Sequence, residues 1–142
     1  MGTTPARNRI LVAVAEDSTE KIVELLGDGF QLQLAKTVQH AHTLLKQSQF
    51  DLIVCGVRFD DSRLLDLLQQ CKSDPQLASI PFLCMRVLRG KLSLDCLRDI
   101  VLASSALGAA GFFDVEQCDR DVGPEATATE YRKLVRSLLE GD

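Results

Sequence analysis

The stretch Asp51-Leu52-Ile53-Val54-Cys55-Gly56-Val57 decides the fold, because it is a short and almost wholly apolar run. Such a run predicts a β-strand that is buried on both faces, as in the middle of a parallel sheet. The polar segment 58–63 follows it at once. In open α/β sheets the chemical site lies beyond the carboxyl ends of the central strands. We therefore expect any site of this protein to lie near Gly56.

Four further segments have strand patterns, and a helical pattern follows each of the five strands. The other strands are predicted at 9–15, 30–35, 80–87 and 110–115. Segment 30–35 alternates apolar residues with glutamines, which is typical of an edge strand with one solvated face. Helices are predicted to begin after Asp17 or Ser18, after Thr37, after Asp61 or Ser62 and after Ser93, with a last helix at 130–140.

The polar segment 116–128 contains Gly123 and Pro124 and is predicted to be a loop. Alternating strands and helices require parallel pairing and right-handed crossovers. We therefore predict a three-layer, doubly wound, flavodoxin-like α/β sandwich with five helices and a five-stranded parallel sheet of order 2-1-3-4-5.

Length and composition indicate one ordinary globular domain. The 142 residues predict a flexible tail at 1–8 and a single domain at 9–142. A net charge of −4 argues against nucleic-acid binding. We see no signal peptide and no apolar stretch long enough for a bilayer, so we expect a cytoplasmic protein that does not contact membranes. Five cysteines without a CxxC motif are expected to be reduced, and most of them buried.

Four segments resemble a bacterial response-regulator receiver domain, and the resemblance covers roughly residues 9–140. They are RILVAVAED at the first strand, FDLIVCGV at the third, DPQLASIPFLCM leading into the fourth and LGAAGFFD at the fifth. The resemblance implies the doubly wound fold and a role in two-component signal transduction. The span 86–108 is longer than the family usually has between its last two strands, and the extra residues fall in LRGKLSLDC.

Receiver domains use five side chains at the carboxyl ends of their strands: an acidic pair, a phospho-accepting Asp, a Ser or Thr, and a Lys. The resemblance places the acceptor position on Gly56, the Ser/Thr position on Arg86 and the Lys position on Val115. None of these residues can do the family's chemistry, since glycine has no nucleophile. The pattern is therefore similar to a degenerate pseudo-receiver, which keeps the fold and has lost phosphotransfer. It implies no enzyme activity and no cofactor.

The family's acidic pair aligns with Val14 and Ala15, and four acids lie near these strand ends: Glu16, Asp17, Asp60 and Asp61. One interpretation is a weak Mg²⁺ site, since Mg²⁺ prefers oxygen ligands. The other is that Asp17 and Asp61 cap helices while the remaining two are solvated. A phospho-accepting, Mg²⁺-dependent receiver with its acceptor displaced to Asp60 or Asp61 is an alternative function.

Three more positions lead to specific hypotheses: Arg86, Cys55 and the pair of Phe112 and Phe113. Arg86 is expected to pair with Glu16 or Asp60 in place of the metal, or else to extend to water. The Cys55 side chain should point into the core, because it alternates with Gly56; a redox-sensing thiol is the alternative. Of Phe112 and Phe113, one should enter the core and the other should face outward, unless the last helix covers it.

The sequence thus predicts a phosphorylation-independent protein-interaction module. A protein partner or a second copy would bind the face made by the last two helices and the fifth strand. The candidate contact residues are Leu92, Leu94, Cys96, Phe112, Tyr131 and Arg132. A third interpretation is a domain that binds a small ligand above Gly56, where the missing side chain leaves room. The absence of a GxGxxG or Walker sequence argues against a nucleotide.

Overall fold

The predicted parallel sheet is confirmed in a computed structural model that describes residues 8–88 and 92–140. The sheet has the order β2-β1-β3-β4-β5, and all four of its strand pairs are parallel. The strands are β1 (Arg9–Ala13), β2 (Gln31–Ala35), β3 (Leu52–Gly56), β4 (Phe82–Arg86) and β5 (Gly111–Asp114). The predicted tail falls almost wholly outside the described residues, and the carbonyl of Asn8 accepts a hydrogen bond from Gln31 N.

Helices cover both faces of the sheet. They are α1 (Thr19–Leu26), α2 (Val38–Gln47), α3 (Phe59–Ser62), α4 (Leu64–Ser73), α5 (Leu94–Ala106), α6 (Val115–Val122) and α7 (Pro124–Leu139). Short 3-10 turns at Glu16–Ser18 and Gly27–Gly29 flank α1. Helices α2, α4 and α5 contribute to the core on one face, whereas α1, α6 and α7 contribute to the core on the other.

The burial of each strand follows its sequence pattern. Strands β3 and β4 are buried at all five positions, as their continuous apolar runs predict. Strand β2 lies at the edge of the sheet, as predicted, but it departs from the predicted alternation because Leu34, on its apolar side, is exposed. The caps at Thr37 and Ser93 are also confirmed, since their side chains accept hydrogen bonds from His40 N and Cys96 N.

The prediction of five helices was wrong, since the described residues contain seven. One extra element is α3, a four-residue turn in which Asp60 and Asp61 have left-handed φ angles of 47° and 55°. Neither Asp61 nor Ser62 caps the next helix, which begins at Leu64 after Arg63. Likewise, Ser18 precedes α1 without a side-chain capping hydrogen bond.

The other extra helix is α6, in the segment that was predicted to be a loop. Asp114 caps it by accepting a hydrogen bond of 3.0 Å from Gln117 N. Gly123, with a φ of +87°, ends α6, and Pro124 begins α7. Glycine after one helix and proline at the first position of the next delimit two adjacent helices, so the Gly-Pro pair marks a junction here.

Candidate functional site

The carboxyl end of β3 is closed where a receiver domain would carry its phospho-accepting side chain. Gly56 lies beside Met85 in the β3–β4 ladder. A Cβ atom on Gly56 would lie 3.5 Å from Cγ1 of Val14, whose side chain is buried. The side chain of Val14 therefore lies at ordinary van der Waals distance from the first side-chain atom that any other residue would have at position 56.

The cavity at this end of the sheet is too small for a ligand. It has a volume of about 10 Å³ and is lined by Ala15, Ser18, Gly56, Val57, Arg58, Val87 and Leu88. That volume holds about one water molecule. Among the residues that the structure describes, the room above Gly56 is therefore no larger than one water molecule, which argues against the small-ligand interpretation.

Arg86 ends β4 and forms a two-pronged ion pair with Asp114, its register partner at the end of β5. Nε of Arg86 donates to Oδ1 of Asp114 at 2.9 Å, and NH2 lies 2.9 Å from Oδ2. The Arg86 side chain is only 11% exposed. Paired hydrogen bonds between a guanidinium and a carboxylate are short, strong and directional. This pair therefore joins the two strands at the position of the family's Ser/Thr.

The Arg86 pair continues into α6. NH2 of Arg86 lies 3.5 Å from Oε2 of Glu116, and Oε1 of Glu116 lies 2.9 Å from NH2 of Arg120. Neither hypothesis for Arg86 is correct: it does not extend to water, and its partner is Asp114, directly across the adjacent strand, in place of Glu16 or Asp60.

Val115, at the family's Lys position, is the first residue of α6 and is fully buried. Its side chain belongs to the core on the face of α1 and α7. An apolar side chain in this position packs against its neighbours, whereas a lysine there would carry a charge. Since β5 ends at Asp114, the chain turns directly from the ion pair into α6.

The four candidate acids are not brought together. Oδ2 of Asp17 lies 2.9 Å from NH2 of Arg58, and both side chains are largely exposed. Across the described ranges 8–88 and 92–140, no group of three or more His, Cys, Asp or Glu side chains could hold a metal ion. Glu16 is exposed.

Asp60 has a structural contact that the sequence did not suggest. Its Oδ2 accepts a hydrogen bond of 2.9 Å from Val38 N, the first amide of α2, and lies 3.4 Å from NH1 of Arg63. Asp60 thus satisfies one free donor at the start of α2. Asp61 is exposed and follows Asp60 in the left-handed turn.

The cysteines next to the site belong to the core. Cys55, Cys71 and Cys84 are fully buried, and all three lie on the face covered by α2, α4 and α5. Burial raises the pKa of the Cys55 thiol well above its ordinary value, and it raises the pKa values of Cys71 and Cys84 to about 11. Because the thiolate is the reactive form, these thiols are inert at neutral pH, as predicted for Cys55.

No protein-family model and no curated protein sequence matches this chain. Solved structures do match. The phosphorylated cyanobacterial phytochrome response regulator RcpA is 16% identical, with a TM-score of 0.74 over 96% of this chain and 97% of its own. The signal receiver domain of a histidine kinase from Syntrophus aciditrophicus is 22% identical, with a TM-score of 0.71 over 94% and 91%.

The signal receiver domain of an HD domain-containing protein from Pseudomonas fluorescens Pf-5 gives a TM-score of 0.69 at 17% identity, over 99% of this chain and 92% of its own. The fold is that of a response-regulator receiver domain. At these identities the likeness establishes the receiver fold alone. Within the described residues, no helix of this receiver-like domain is both long and apolar enough to cross a bilayer.

Two of the candidate contact residues in the receiver-like domain have internal roles. Tyr131 is fully buried, and its hydroxyl lies 3.1 Å from Sδ of Met85, so its assignment to a partner surface was wrong. Burial raises the pKa of the Tyr131 hydroxyl. Arg132 is partly buried; its Nε donates to the carbonyl of Leu25 at 2.8 Å, which joins α7 to the last turn of α1.

The two phenylalanines of β5 lie on opposite faces, and neither is exposed. Phe112 packs against the core beneath α2, α4 and α5. Phe113 packs against the other core, with its ring centroid 5.2 Å from that of Tyr131 in an edge-on arrangement. The sequence left open whether the second ring faces outward or lies under the last helix; Phe113 packs against Tyr131 of α7, so the covered alternative is the one found.

The remaining candidates lie on or near α5. Leu94 is 67% exposed and Cys96 is exposed, whereas Leu92 is partly buried against the core. The sequence reading missed Leu102, which is 69% exposed. We call the exposed side of α5 that carries Leu94 and Leu102 the α5 face; Cys96, two residues after Leu94, points to another side of the helix. Residues 89–91 of the long connection before it lie outside the described part of the chain.

The sequence reading also missed Asp114 and Glu116 as the partners of Arg86. For Asp114, the sequence did contain a signal that could have predicted its contact with Arg86. The predicted sheet order places the fourth and fifth strands side by side, and one ends in Arg86 while the other ends near Asp114. Opposite charges at the ends of neighbouring strands predict an ion pair.

Proposed function

We propose that this protein is a pseudo-receiver, a regulatory module of signal transduction that works through protein contacts and takes no phosphoryl group. The observation that carries the proposal is the two-pronged Arg86–Asp114 pair beside a strand end that terminates in Gly56. A phosphorylatable receiver needs a carboxylate nucleophile and a cation site there. Here an internal ion pair and the Val14 side chain occupy that end of the sheet.

The same geometry describes how the module would act. Switching receivers respond to a ligand that binds one conformation better than another. A fixed pair between the ends of β4 and β5 favours one arrangement of these strands at all times. We propose that the protein presents one constant surface in the cytoplasm, and that a partner protein reads it without phosphorylation and without catalysis by this chain.

The partner surface in this proposal is the α5 face. Exposed leucines on one helix are uncommon on a surface that contacts only water, and a cluster of them is typical of a protein contact. Leu94 and Leu102 are the most exposed large apolar side chains among the described residues. Phe112 is partly buried against the core on the α5 side of the sheet, whereas Tyr131 lies in the core on the opposite side, so neither takes a direct part.

Phosphorylation is tested first with a small phosphodonor. The purified protein is incubated with Mg²⁺ and acetyl phosphate, and its intact mass is followed together with that of Asp60→Asn and Asp61→Asn variants. We expect no gain of a phosphoryl group. A gain that either variant abolishes would establish a displaced acceptor and contradict the proposal.

The contact function is tested in the cell of origin. A chromosomal Leu94→Lys, Leu102→Lys double variant should reproduce the phenotype of a deletion while the protein level stays normal. The Asp60→Asn, Asp61→Asn double variant is the matched control and should behave as wild type. The reverse pattern would contradict a phosphorylation-independent contact function.

A further inference from the structure

The free edge of β2 has unpaired backbone groups that point away from the sheet. The amide of Gln31 donates to the carbonyl of Asn8 at 2.9 Å, so Gln31 faces β1. Along a strand, successive residues direct their backbone groups to opposite sides. The N–H and C=O groups of Leu32 and Leu34 therefore face outward, and no residue among 8–88 and 92–140 forms a strand beside them.

This edge lacks the usual protection against strand pairing. Natural proteins block exposed edges with charges, with proline or with bulges. Segment 29–35 contains no charged residue and no proline, and its five ladder partners on β1 run without a bulge. Leu34 is 38% exposed, and Gln31 and Gln33 are exposed as well.

The edge is also complementary to itself. Two copies related by a two-fold axis at Gln33 would pair Leu32 of one copy with Leu34 of the other. Both residues have outward-facing backbone groups, so the two such pairs would exchange four hydrogen bonds. Gln33 of one copy would lie opposite Gln33 of the other. These two residues would form a non-hydrogen-bonded antiparallel pair, the type in which the two Cα atoms are closer together.

The charges that flank the edge fit the same pairing. Asp28 precedes the strand and Lys36 follows it, and both are exposed. In an antiparallel pair the start of one strand lies beside the end of the other. Asp28 of each copy therefore comes to the same end as Lys36 of the other, and no like charges oppose each other within the paired segment.

We propose that two copies of this chain associate through their β2 edges and form one continuous ten-stranded sheet, antiparallel at the junction. The edge opposite β2 in the sheet is β5, so the association leaves the α5 face free. It therefore does not depend on the proposed function. A five-residue edge makes a small contact, which is typical of weak or transient association.

The test is sedimentation equilibrium of the full chain from about 5 to about 500 μM, a range that covers micromolar dissociation constants. Wild type should dimerise. Gln33→Lys and Gln33→Glu should each weaken dimerisation at least about tenfold, because each places like charges opposite one another at the two-fold axis. An equimolar mixture of the two variants should restore the dimer. Leu102→Lys on α5 is the control and should dimerise as wild type does.

Hydrogen exchange gives a second readout that does not depend on a variant. The Leu32 and Leu34 amides should be more protected at high protein concentration than at low concentration. A monomer throughout the range would overturn the proposal. A dimer that survives Gln33→Lys, a dimer that Leu102→Lys abolishes, or protection of these amides that does not change with concentration would overturn it as well.

Discussion

Arg86 shows what a sequence can predict about one residue. Its position at the end of the fourth strand follows from the apolar run before it, whereas the sequence left open whether it pairs with an acid or extends to water; because it is buried, it needs an acidic partner. The partner was predicted wrongly, because Glu16 and Asp60 were chosen for their place in a family pattern. Asp114 lies beside Arg86 because of the register between β4 and β5. That register depends on how the two strands pair, so the sequence around Arg86 alone does not predict it.

Replacing Arg86 with alanine should lower the free energy of unfolding by about 2 kcal/mol. The change leaves Asp114 and Glu116 close together and without the guanidinium, and breaking a largely buried pair costs much more than breaking an exposed one. Urea denaturation measures the difference.

The control for Arg86 is Arg58→Ala, which breaks the exposed pair with Asp17. That change should lower the free energy of unfolding by no more than about 0.5 kcal/mol. Equal effects of the two alanine variants would show that the Arg86 pair does not stabilise the fold.

Asp61→Gly should raise the free energy of unfolding by about 0.5 to 1 kcal/mol. Asp61 has a φ of 55°, and a non-glycine residue in this left-handed region costs roughly 1–2 kcal/mol, which glycine would avoid. Part of that gain is offset because glycine makes the unfolded chain more flexible. Thermal or urea denaturation tests it. Asp95→Gly, within α5, should instead destabilise the protein, and stabilisation by both changes would contradict the strain at position 61.

At the scale of elements, the strands and the amphipathic helices could be predicted and α6 could not. Strands β3 and β4 and helices α1, α2 and α4 have apolar patterns that match their burial. Helix α6 has only three apolar residues, Val115, Cys118 and Val122, and buries only the first of them, so its apolar stripe is short and weak. It is held instead by the Asp114 cap and by the Lys21–Asp119 and Arg86–Glu116 ion pairs, which depend on distant residues.

The junction of α6 and α7 gives a prediction at this scale. Gly123→Ala should lower the free energy of unfolding by about 1 to 2 kcal/mol, because Gly123 has a φ of +87° that alanine adopts only with strain. A Cβ atom at position 123 would meet no described atom within 4 Å, so the expected cost is conformational.

Gly29→Ala is the matched control for Gly123. A Cβ atom there also meets no described atom within 4 Å, and Gly29 does not have a positive φ. This change should be neutral, or it should stabilise the fold by reducing the freedom of the unfolded chain. If urea denaturation gives the same result for both alanine variants, the junction does not depend on the backbone of Gly123.

At the scale of the whole molecule, the order of the strands and helices predicted the layered fold. It did not predict which side chains lie at the carboxyl end of the sheet. Five strand-helix repeats with one half-polar strand restrict the topology to very few choices. The closed end depends on Val14 beside Gly56 and on Arg86 beside Asp114. These are contacts between segments far apart in the sequence, so no local sequence pattern predicts them.

Alkaline pH should unfold the protein through its core. Burial raises the pKa values of Cys55, Cys71, Cys84 and Tyr131, so the folded state keeps protons that the unfolded chain loses above about pH 8.5. Below that pH these groups do not lower the free energy of unfolding. As the pH rises toward 11, the free energy of unfolding falls by up to about 1.4 kcal/mol per pH unit for each thiol. Urea denaturation between pH 7 and pH 10.5 measures the slope. A Cys84→Ala variant should show a smaller slope, and an unchanged slope would contradict the assignment.

The central claim is that this end of the sheet no longer takes a phosphoryl group. An amide NMR titration of the full chain with Mg²⁺ and then beryllofluoride, a mimic of the phosphorylated state, tests it most directly. We predict that the resonances of Gly56, Arg86 and Val115 stay fixed at millimolar concentrations of both. A saturable shift of these resonances would show that an acidic phosphoryl site survives, and it would contradict the pseudo-receiver account.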